Sequence, residues 1–288
     1  KSEWTKKKLS DIADFNPRET IKKGAIAKKI PMDVLRPFYR DIPYYVEECF
    51  SGGTKFRNGD TIMARITPCL ENGKTAQVSI LNDGEVGFGS TEYIVFRAKE
   101  GIADKDYLYY LVCNPEVREP AIKSMVGSSG RQRVQMDVVK NLEIDVPPLV
   151  EQEKIGSFLK AFDDKIALND RINNNLEQQA QAIYQQMFID NARSDWAEGT
   201  LSDIADITMG QSPSGSSYNE DGTGTIFFQG RAEFGFRFPS VRLYTTEPKR
   251  MARSNDTLMS VRAPVGDLNV AHMDCCIGRG LAAIHSKS

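Results

Sequence analysis

Runs of apolar residues along the chain differ in spacing, and the spacing predicts which segments form strands and which form helices. Short runs rich in aliphatic and β-branched residues, each bounded by turn residues, predict strands. Such runs lie at 61–66, 93–97 and 142–146. Between the last two, segments 104–112 and 116–125 have helical composition and are separated by Asn114-Pro115. The pattern predicts an α+β fold made of mixed α/β domains.

A much longer periodic segment follows Pro147-Pro148. From Ile155 onward, mostly apolar residues alternate at spacings of four and three, which predicts the seam of a long coiled-coil helix. The seam comprises Ile155, Leu159, Phe162, Ile166, Asn169, Asn173, Leu176, Ala180, Ile183 and Met187. A helix of about 40 residues is ~60 Å long. Because such a helix cannot bury its apolar stripe alone, we expect a partner helix, which self-association of the chain would supply.

Asn169 and Asn173 stand in the middle of this seam and allow two interpretations. Buried against polar partners, they would fix the register of the paired helices at some cost in stability. Alternatively, the true seam drifts to Ile172 and both asparagines are solvated. The sequence leaves both interpretations open.

The segment after the long helix repeats the beginning of the chain. Trp4 and Trp196 each stand five residues ahead of the same six-residue sequence, Leu-Ser-Asp-Ile-Ala-Asp, at 9–14 and 201–206. Further matches link 58–63 with 254–259, Pro68 with Pro264, and Gly87 and Gly89 with Gly278 and Gly280. Because the offsets between matches differ, the shared pieces form a scaffold with variable loops, where binding specificity usually lies.

The repeat divides the chain into three parts. We expect a first domain at 1–148, a central helix at 149–192 and a partial second copy of the domain at 193–288. The length of 288 residues and the 40% hydrophobic content suit roughly two globular domains. The second copy is expected to be incomplete because only 8 residues follow Gly280.

Composition narrows the possible partners. A net charge of −2 argues against strong non-specific affinity for DNA, but it leaves room for a few well-placed contacts or for a positively charged partner. No apolar run approaches the ~18–20 residues needed to cross a bilayer, so no membrane partner is expected. Five cysteines without a C-x-x-C pair suit the reduced cytoplasm. Cys275 and Cys276 lie near His272, but a fourth metal ligand is missing.

Three segments resemble parts of catalytic motifs, and each lacks what the chemistry requires. Residues 73–75 look like the end of a phosphate-binding loop, but the first glycine of that motif falls at Pro68. Residues 146–149 lack both the polar first residue and the aromatic last residue of an amino-methyltransferase motif. The acidic pair within 163–165 lies on the long helix, where charges normally form the solvated face. We therefore expect no catalytic residue, no cofactor and no metal.

The sequence Pro-Pro-Leu-Val-Glu-Gln-Glu-Lys-Ile at 147–155 resembles a junction in the specificity subunits of type I restriction–modification systems. There it joins the first target-recognition domain to the central conserved helix. The repeated beginnings at Trp4 and Trp196, and Gly-Gln-Ser-Pro-Ser at 210–214, are also similar to that family. The resemblance covers the whole chain and identifies both repeated domains as target-recognition domains.

The resemblance implies a function and a set of partners. Each recognition domain is expected to read one half of a split target in the major groove of double-stranded DNA, with the helix as a ruler between the halves. Methyltransferase (M) subunits would dock on this scaffold and bring the S-adenosylmethionine chemistry. A restriction (R) subunit, a translocating motor and nuclease, would join them. The family also has a second conserved helix, antiparallel to the first, which we expect to be missing because the chain ends at Ser288.

Base readout favours Arg, Lys, Asn and Gln, and phosphate contacts also recruit Lys. In the first copy the candidate DNA-binding residues are Lys55, Arg57, Arg65, Lys74, Arg131, Gln132 and Arg133. In the second copy they are Arg231, Arg237, Arg242 and Arg262. Arg131 and Arg133, on a loop rich in serine and glycine, are the favoured pair, although a single arginine can instead form a surface ion pair. Phe234, Phe236 and Phe238 alternate with small or polar residues, like a strand with one apolar face.

These observations predict a non-catalytic, sequence-specific DNA-binding subunit of a restriction–modification complex, acting in the cytoplasm in host defence. It would read a bipartite target and position the methyltransferase and restriction subunits. The alternative is a protein-interaction scaffold, in which the coiled-coil helix assembles a complex and the domains bind protein without DNA specificity. A nuclease or methyltransferase in its own right is disfavoured by the missing motifs.

Overall fold

A computed structural model describes residues 4–128 and 130–287. The chain divides into two compact units between Met187 and Phe188. Contacts between two helices tie the central helix to the first domain, so both belong to the first unit. The domain boundaries at 148 and 192 stay predictions.

The first unit alternates short strands with helices. In chain order its elements are β1 (Thr5–Lys8), α1 (Leu9–Ile12), β2 (Ala13–Phe15), β3 (Ile26–Ile30), β4 (Val46–Cys49), β5 (Thr54–Phe56), β6 (Thr61–Ala64), β7 (Thr75–Gln77), β8 (Gly87–Gly89), β9 (Tyr93–Ala98), α2 (Lys105–Cys113), α3 (Pro115–Lys123), α4 (Met136–Lys140), β10 (Glu143–Val146) and α5 (Leu149–Tyr184). The strands predicted at 61–66, 93–97 and 142–146 are confirmed as β6, β9 and β10. The two predicted helices are confirmed as α2 and α3.

Two four-stranded sheets form the framework of the first unit. The order of the first sheet is β2-β9-β6-β7, and all its neighbours are antiparallel. The order of the second sheet is β4-β3-β8-β5, in which β3 and β8 run parallel. A two-stranded ladder between β1 and β10 joins the beginning of the domain to its end.

Strands β6 and β9 are buried on both faces, which explains their continuous apolar sequence. Ile62 and Val95 pack among residues that include Phe56 of the second sheet. Met63 and Ile94 belong to the other hydrophobic cluster, which contains apolar residues of α2 and α3. Successive side chains of a strand point to opposite faces, so the first sheet forms the middle layer.

The division between the units falls inside a π-helical segment, Gln185–Asp190, and the second unit repeats the framework of the first. Its elements are α6 (Leu201–Ile204), β11 (Ala205–Met209), β12 (Tyr218–Asn219), β13 (Thr225–Phe228), β14 (Leu243–Thr245), β15 (Met251–Ala252), β16 (Thr257–Ser260), β17 (Leu268–Val270), β18 (Cys275–Ile277) and β19 (Leu281–Ser286), with 3₁₀ turns at Gly215–Ser217 and Arg231–Glu233. Its sheets have the orders β11-β19-β16-β17 and β12-β14-β13-β18-β15. The parallel pair β3 and β8 recurs as β13 and β18.

Strand register fixes how the two copies correspond. Thr61 pairs with Phe96 in the first copy, and Thr257 pairs with Ile284 in the second. The predicted match of Gly87 and Gly89 with Gly278 and Gly280 is wrong. The pairings of β9 and β19 align Gly278 with Ser90 and Gly280 with Glu92. The backbone agrees, since the N–H of Arg65 donates to Glu92 and that of Val261 donates to Gly280.

Helix α5 confirms the predicted long helix. It begins directly after Pro148 and has 36 residues, a length of about 54 Å. None of the described helices is both long enough and apolar enough to cross a membrane.

Candidate nucleic-acid interface

The first turns of α5 are seated on the first domain by Gln152 and Gly156. Gln152 is buried, accepts a hydrogen bond from the backbone N–H of Asp104 (3.1 Å) and donates to the carbonyl of Pro147 (2.9 Å). A Cβ at position 156 would lie 2.6 Å from Oδ1 of Asp104 and 2.7 Å from the backbone nitrogen of Tyr107. The helix can approach α2 this closely because residue 156 has no side chain.

Ion pairs continue this attachment along the helix. The guanidinium of Arg40 donates to Asp164 (2.6 Å), and Arg36 pairs with Asp170 (3.3 Å). The hydroxyl of Tyr110 donates to Asp163 (2.6 Å). Residues 163–165 therefore serve in part as an anchor, and not only as a solvated face. The contacts hold the first half of α5 in a fixed direction relative to the first domain.

The predicted seam runs beside this attached face. Ile155 packs against the core of the first domain, and Leu159 is half-buried. The remaining seam residues are exposed, namely Phe162, Ile166, Asn169, Asn173, Leu176, Ala180, Ile183 and Met187. Ile172 is exposed as well, so neither interpretation of Asn169 and Asn173 is excluded. A partner helix along this stripe stays a prediction.

Three predicted DNA-binding residues of the first copy have partners inside the domain. Arg57 donates two hydrogen bonds to Glu19, at 2.7 and 2.8 Å. Lys74 donates to the carbonyl of Met32 (2.9 Å). Lys55 is half-buried, and its ammonium lies 5.4 Å from the centre of the Phe50 ring.

Arg65 and Arg133 converge on Glu92. Arg133 donates to both carboxylate oxygens at 2.6 to 3.0 Å, and Nε of Arg65 lies 3.8 Å from one of them. The hydrogen bond from Arg133 is the main reason that the pKa of Glu92 is lowered. We call Arg65, Glu92 and Arg133 the Glu92 cluster. Arg57 precedes β6 and Arg65 follows it, so the predicted residues of the first copy do not form one patch.

The two residues of the favoured pair, Arg131 and Arg133, therefore differ in whether their side chains are free to bind DNA. Val126 and Arg133 close the loop between them by a pair of backbone hydrogen bonds. Within the described residues the exposed guanidinium of Arg131 has no ion-pair partner. Gln132 is half-buried, and its carbonyl accepts a hydrogen bond from Thr67. Ser129 lies outside the described residues.

In the second copy, three arginines line one cavity of about 220 Å³. They are Arg231, Arg262 and Arg279, and we call this space the arginine cavity. Arg231 forms an ion pair with Asp267. The guanidinium groups of Arg262 and Arg279 have no hydrogen-bond partner among the residues that the structure describes. Sequence reasoning missed Arg279, whose one signal was its position between two glycines.

The other two arginines predicted in the second copy lie apart from this cavity. Arg242 donates to the buried Glu233 (3.2 Å), and Arg237 lies 5.7 Å from the centre of the Phe238 ring. The strand predicted from Phe234, Phe236 and Phe238 is wrong. A 3₁₀ turn ends at Glu233, residues 234–242 form no strand, and Phe236 is exposed.

The residues considered for metal chemistry are dispersed or buried. Cys275 and Cys276 are buried in β18, and burial raises the pKa of Cys275 to about 12. No group of three or more His, Cys, Asp or Glu in the described part of the chain could hold a metal ion. Nδ1 of His285 donates a hydrogen bond of 2.5 Å to the carboxylate of Asp256, which is buried.

A two-sheet domain precedes a long helix and is repeated after it, and both copies expose arginines. These features define a class of recognition proteins with a duplicated domain and a helical spacer. Residues 1–178 match the family described as the type I restriction modification DNA specificity domain. The chain belongs to this family, which confirms the resemblance found in the sequence.

Individual proteins that this chain resembles belong to the same family. A specificity subunit assigned to the type I restriction enzyme MjaX of Methanocaldococcus jannaschii is 31% identical, over 99% of this chain and 72% of that protein. The EcoAI specificity subunit of Escherichia coli is 34% identical, over 53% of this chain and 26% of that protein. The S subunit of a type I system from M. genitalium has the same fold, with a TM-score of 0.59 at 15% identity over 100% of this chain and 73% of that one.

Proposed function

We propose that this chain gives a type I restriction–modification complex its DNA sequence specificity. One observation carries the proposal. Residues 1–178 match the specificity-domain family, and the two-sheet framework of this part recurs in the second unit. Each domain reads one half of a bipartite target in double-stranded DNA. Direct readout requires donors and acceptors that reach base edges, and both copies expose arginines for this purpose.

The central helix fits the role of a spacer. Its length of about 54 Å exceeds the ~34–36 Å of one turn of duplex DNA. Gln152, Gly156 and Asp164 attach its first half to the first domain, so the direction of the helix follows the orientation of that domain. A rigid attachment is what a fixed gap between two half-sites requires.

The exposed stripe of α5 is the proposed contact for a partner helix. Phe162, Leu176 and Ile183 each expose more than half of their surface, which is unusual for large apolar residues without a partner. A second copy of this chain supplies such a helix. The methyltransferase and restriction subunits dock on the assembled scaffold in the cytoplasm and carry the chemistry, so the chain itself is not a catalyst.

The test is to assemble the full-length chain with the methyltransferase subunits of its own system and to map the methylated adenines. We expect a bipartite motif with a fixed non-specific gap. Methylation without a sequence motif, or none at all, contradicts the proposal. Methylation that needs the chain but ignores sequence is the outcome expected of a protein-interaction scaffold.

A further inference from the structure

The arginine cavity of the second copy concentrates positive charge at one end of a sheet. Arg262 follows β16, and Arg279 lies between β18 and β19. Arg231 is neutralised by Asp267, so the guanidinium groups of Arg262 and Arg279 leave an excess of two positive charges. Arg262 and Arg279 are exposed. The cavity is therefore open to a ligand that carries negative charge.

The first copy shows what kind of group the corresponding end of its sheet can hold. Strand register places Gly280 where the first copy has Glu92, and both residues accept the same backbone hydrogen bond from the strand beside them. In the first copy the Glu92 carboxylate occupies this end of the sheet and receives the hydrogen bonds of Arg133. The second copy has arginines around the position but no carboxylate side chain at residue 280.

Packing explains why no side chain fills this space. A Cβ at position 280 would lie 2.8 Å from the carbonyl oxygen of Gln229, and a Cβ at 278 would lie 2.9 Å from the same oxygen. These are backbone atoms of the neighbouring segment and cannot move aside cheaply. Glycine on both sides of Arg279 thus brings two backbone segments together and leaves the cavity between the arginines open.

We propose that the arginine cavity binds a backbone phosphate of the target DNA, in the place that the Glu92 carboxylate occupies in the first domain. Guanidinium groups bind phosphate and carboxylate oxygens through the same paired N–H geometry, so one position can serve either anion. A backbone phosphate carries one negative charge and so offsets one of the two excess positive charges of Arg262 and Arg279. The inference rests on the proposed function, because it takes DNA to be the ligand, and it adds Arg279 to the DNA-binding residues expected from the sequence.

A phosphate contact differs from a base contact in measurable ways. Each phosphate neutralised by a protein cation releases counterions, which adds about 0.9 to the steepness of log affinity against log salt concentration. Loss of such a contact weakens binding about equally on all sequences, whereas loss of a base contact relaxes specificity. The two possibilities can therefore be separated on one pair of DNA probes.

The experiment uses the chain assembled with its methyltransferase subunits and two duplexes, one with the mapped target motif and one with that motif scrambled. We expect Arg262→Ala and Arg279→Ala each to lower affinity about tenfold on both duplexes and to make the salt dependence shallower by about one. The ratio of the two affinities stays unchanged. Arg279→Lys keeps the charge and should keep the salt dependence. Arg250→Ala, which removes an exposed arginine of the same unit outside the cavity, is the matched control and should change neither quantity.

The outcomes are distinct. Unchanged affinity and salt dependence in both alanine variants overturn the inference, provided that thermal melting confirms their folding. A loss confined to the target duplex, with unchanged salt dependence, also overturns it, because the arginines then read bases. If the wild-type complex binds both duplexes equally, the proposed function fails instead, while the salt dependence still tests the cavity.

Discussion

The carboxylate of Glu19 accepts hydrogen bonds from both Arg57 and Arg97, each at 2.7 Å. The hydrogen bond from Arg57 has the largest effect on Glu19, and together with that of Arg97 it outweighs burial and lowers the pKa below its usual value of about 4.5. A carboxylate with a lowered pKa stabilises the folded state above the unfolded-state pKa. That contribution is lost as the pH falls through the lowered folded-state pKa.

We predict that Glu19→Gln lowers the free energy of unfolding near neutral pH and reduces its fall below a pH of about 4.5. Urea denaturation of wild type and variant across this range measures both effects. The difference between the two proteins should shrink as the pH drops. Glu47→Gln, on the exposed edge strand β4, is the control and should change stability little. A difference that stays constant at every pH would show that Glu19 acts without its charge.

Partners distant in sequence explain why the DNA-binding residues were harder to predict than the fold. Arg57, Lys74 and Arg133 have partners that lie 38, 42 and 41 residues away. Only the assembled sheets show that these side chains already form hydrogen bonds within the domain. Arg279 was missed because an arginine between two glycines has the composition of an ordinary turn. Residue type alone predicts which side chains can bind DNA, but not which are still free to do so.

Individual elements were easier to predict. Strands β6 and β9 have continuous apolar sequences because two layers cover them, and the long helix keeps its apolar period from Ile155 to Ile183. The parallel pairing of β3 with β8 could not be predicted, since it joins segments that are about 60 residues apart and leaves no local pattern. The same physical reason applies to the order of strands in both sheets.

The apolar stripe of α5 carries a prediction at the scale of an element. Leu176 and Ile183 are exposed, and they lie beyond the contacts that attach α5 to the first domain. The next longest described helices, α2 and α3, have nine residues each and cannot cover it. We predict that the purified chain self-associates, and that the double variant with Leu176→Glu and Ile183→Glu is monomeric with unchanged helix content.

Sedimentation equilibrium measures the association, and circular dichroism measures the helix. Gln178→Glu places one negative charge on the same helix away from the stripe, so this control should still associate. A wild-type chain that remains monomeric at high concentration, with α5 well ordered, contradicts a seam at these positions.

At the scale of the whole molecule, two units repeat one sheet topology, and each has its own hydrophobic cluster and its own exposed arginines. A substitution at the surface of one unit should therefore change how one half of the target is read. Arg131 is the test residue in the first unit, because its guanidinium is exposed while Arg133 is held by Glu92. Under the proposed function, the gap between the half-sites is set by the spacer helix and not by this loop.

We predict that Arg131→Ala relaxes or weakens one half of the methylated motif, while the other half and the gap length remain unchanged. Loss of a base contact costs about 1–3 kcal/mol, which corresponds to a preference at one position reduced roughly 5- to 150-fold. Sequencing of methylated adenines measures all three features in one experiment. Lys123→Ala removes an exposed charge from the same unit and is the matched control. Weakening of both halves together would place Arg131 on the DNA backbone or in assembly, since neither a phosphate contact nor a subunit contact distinguishes one base from another.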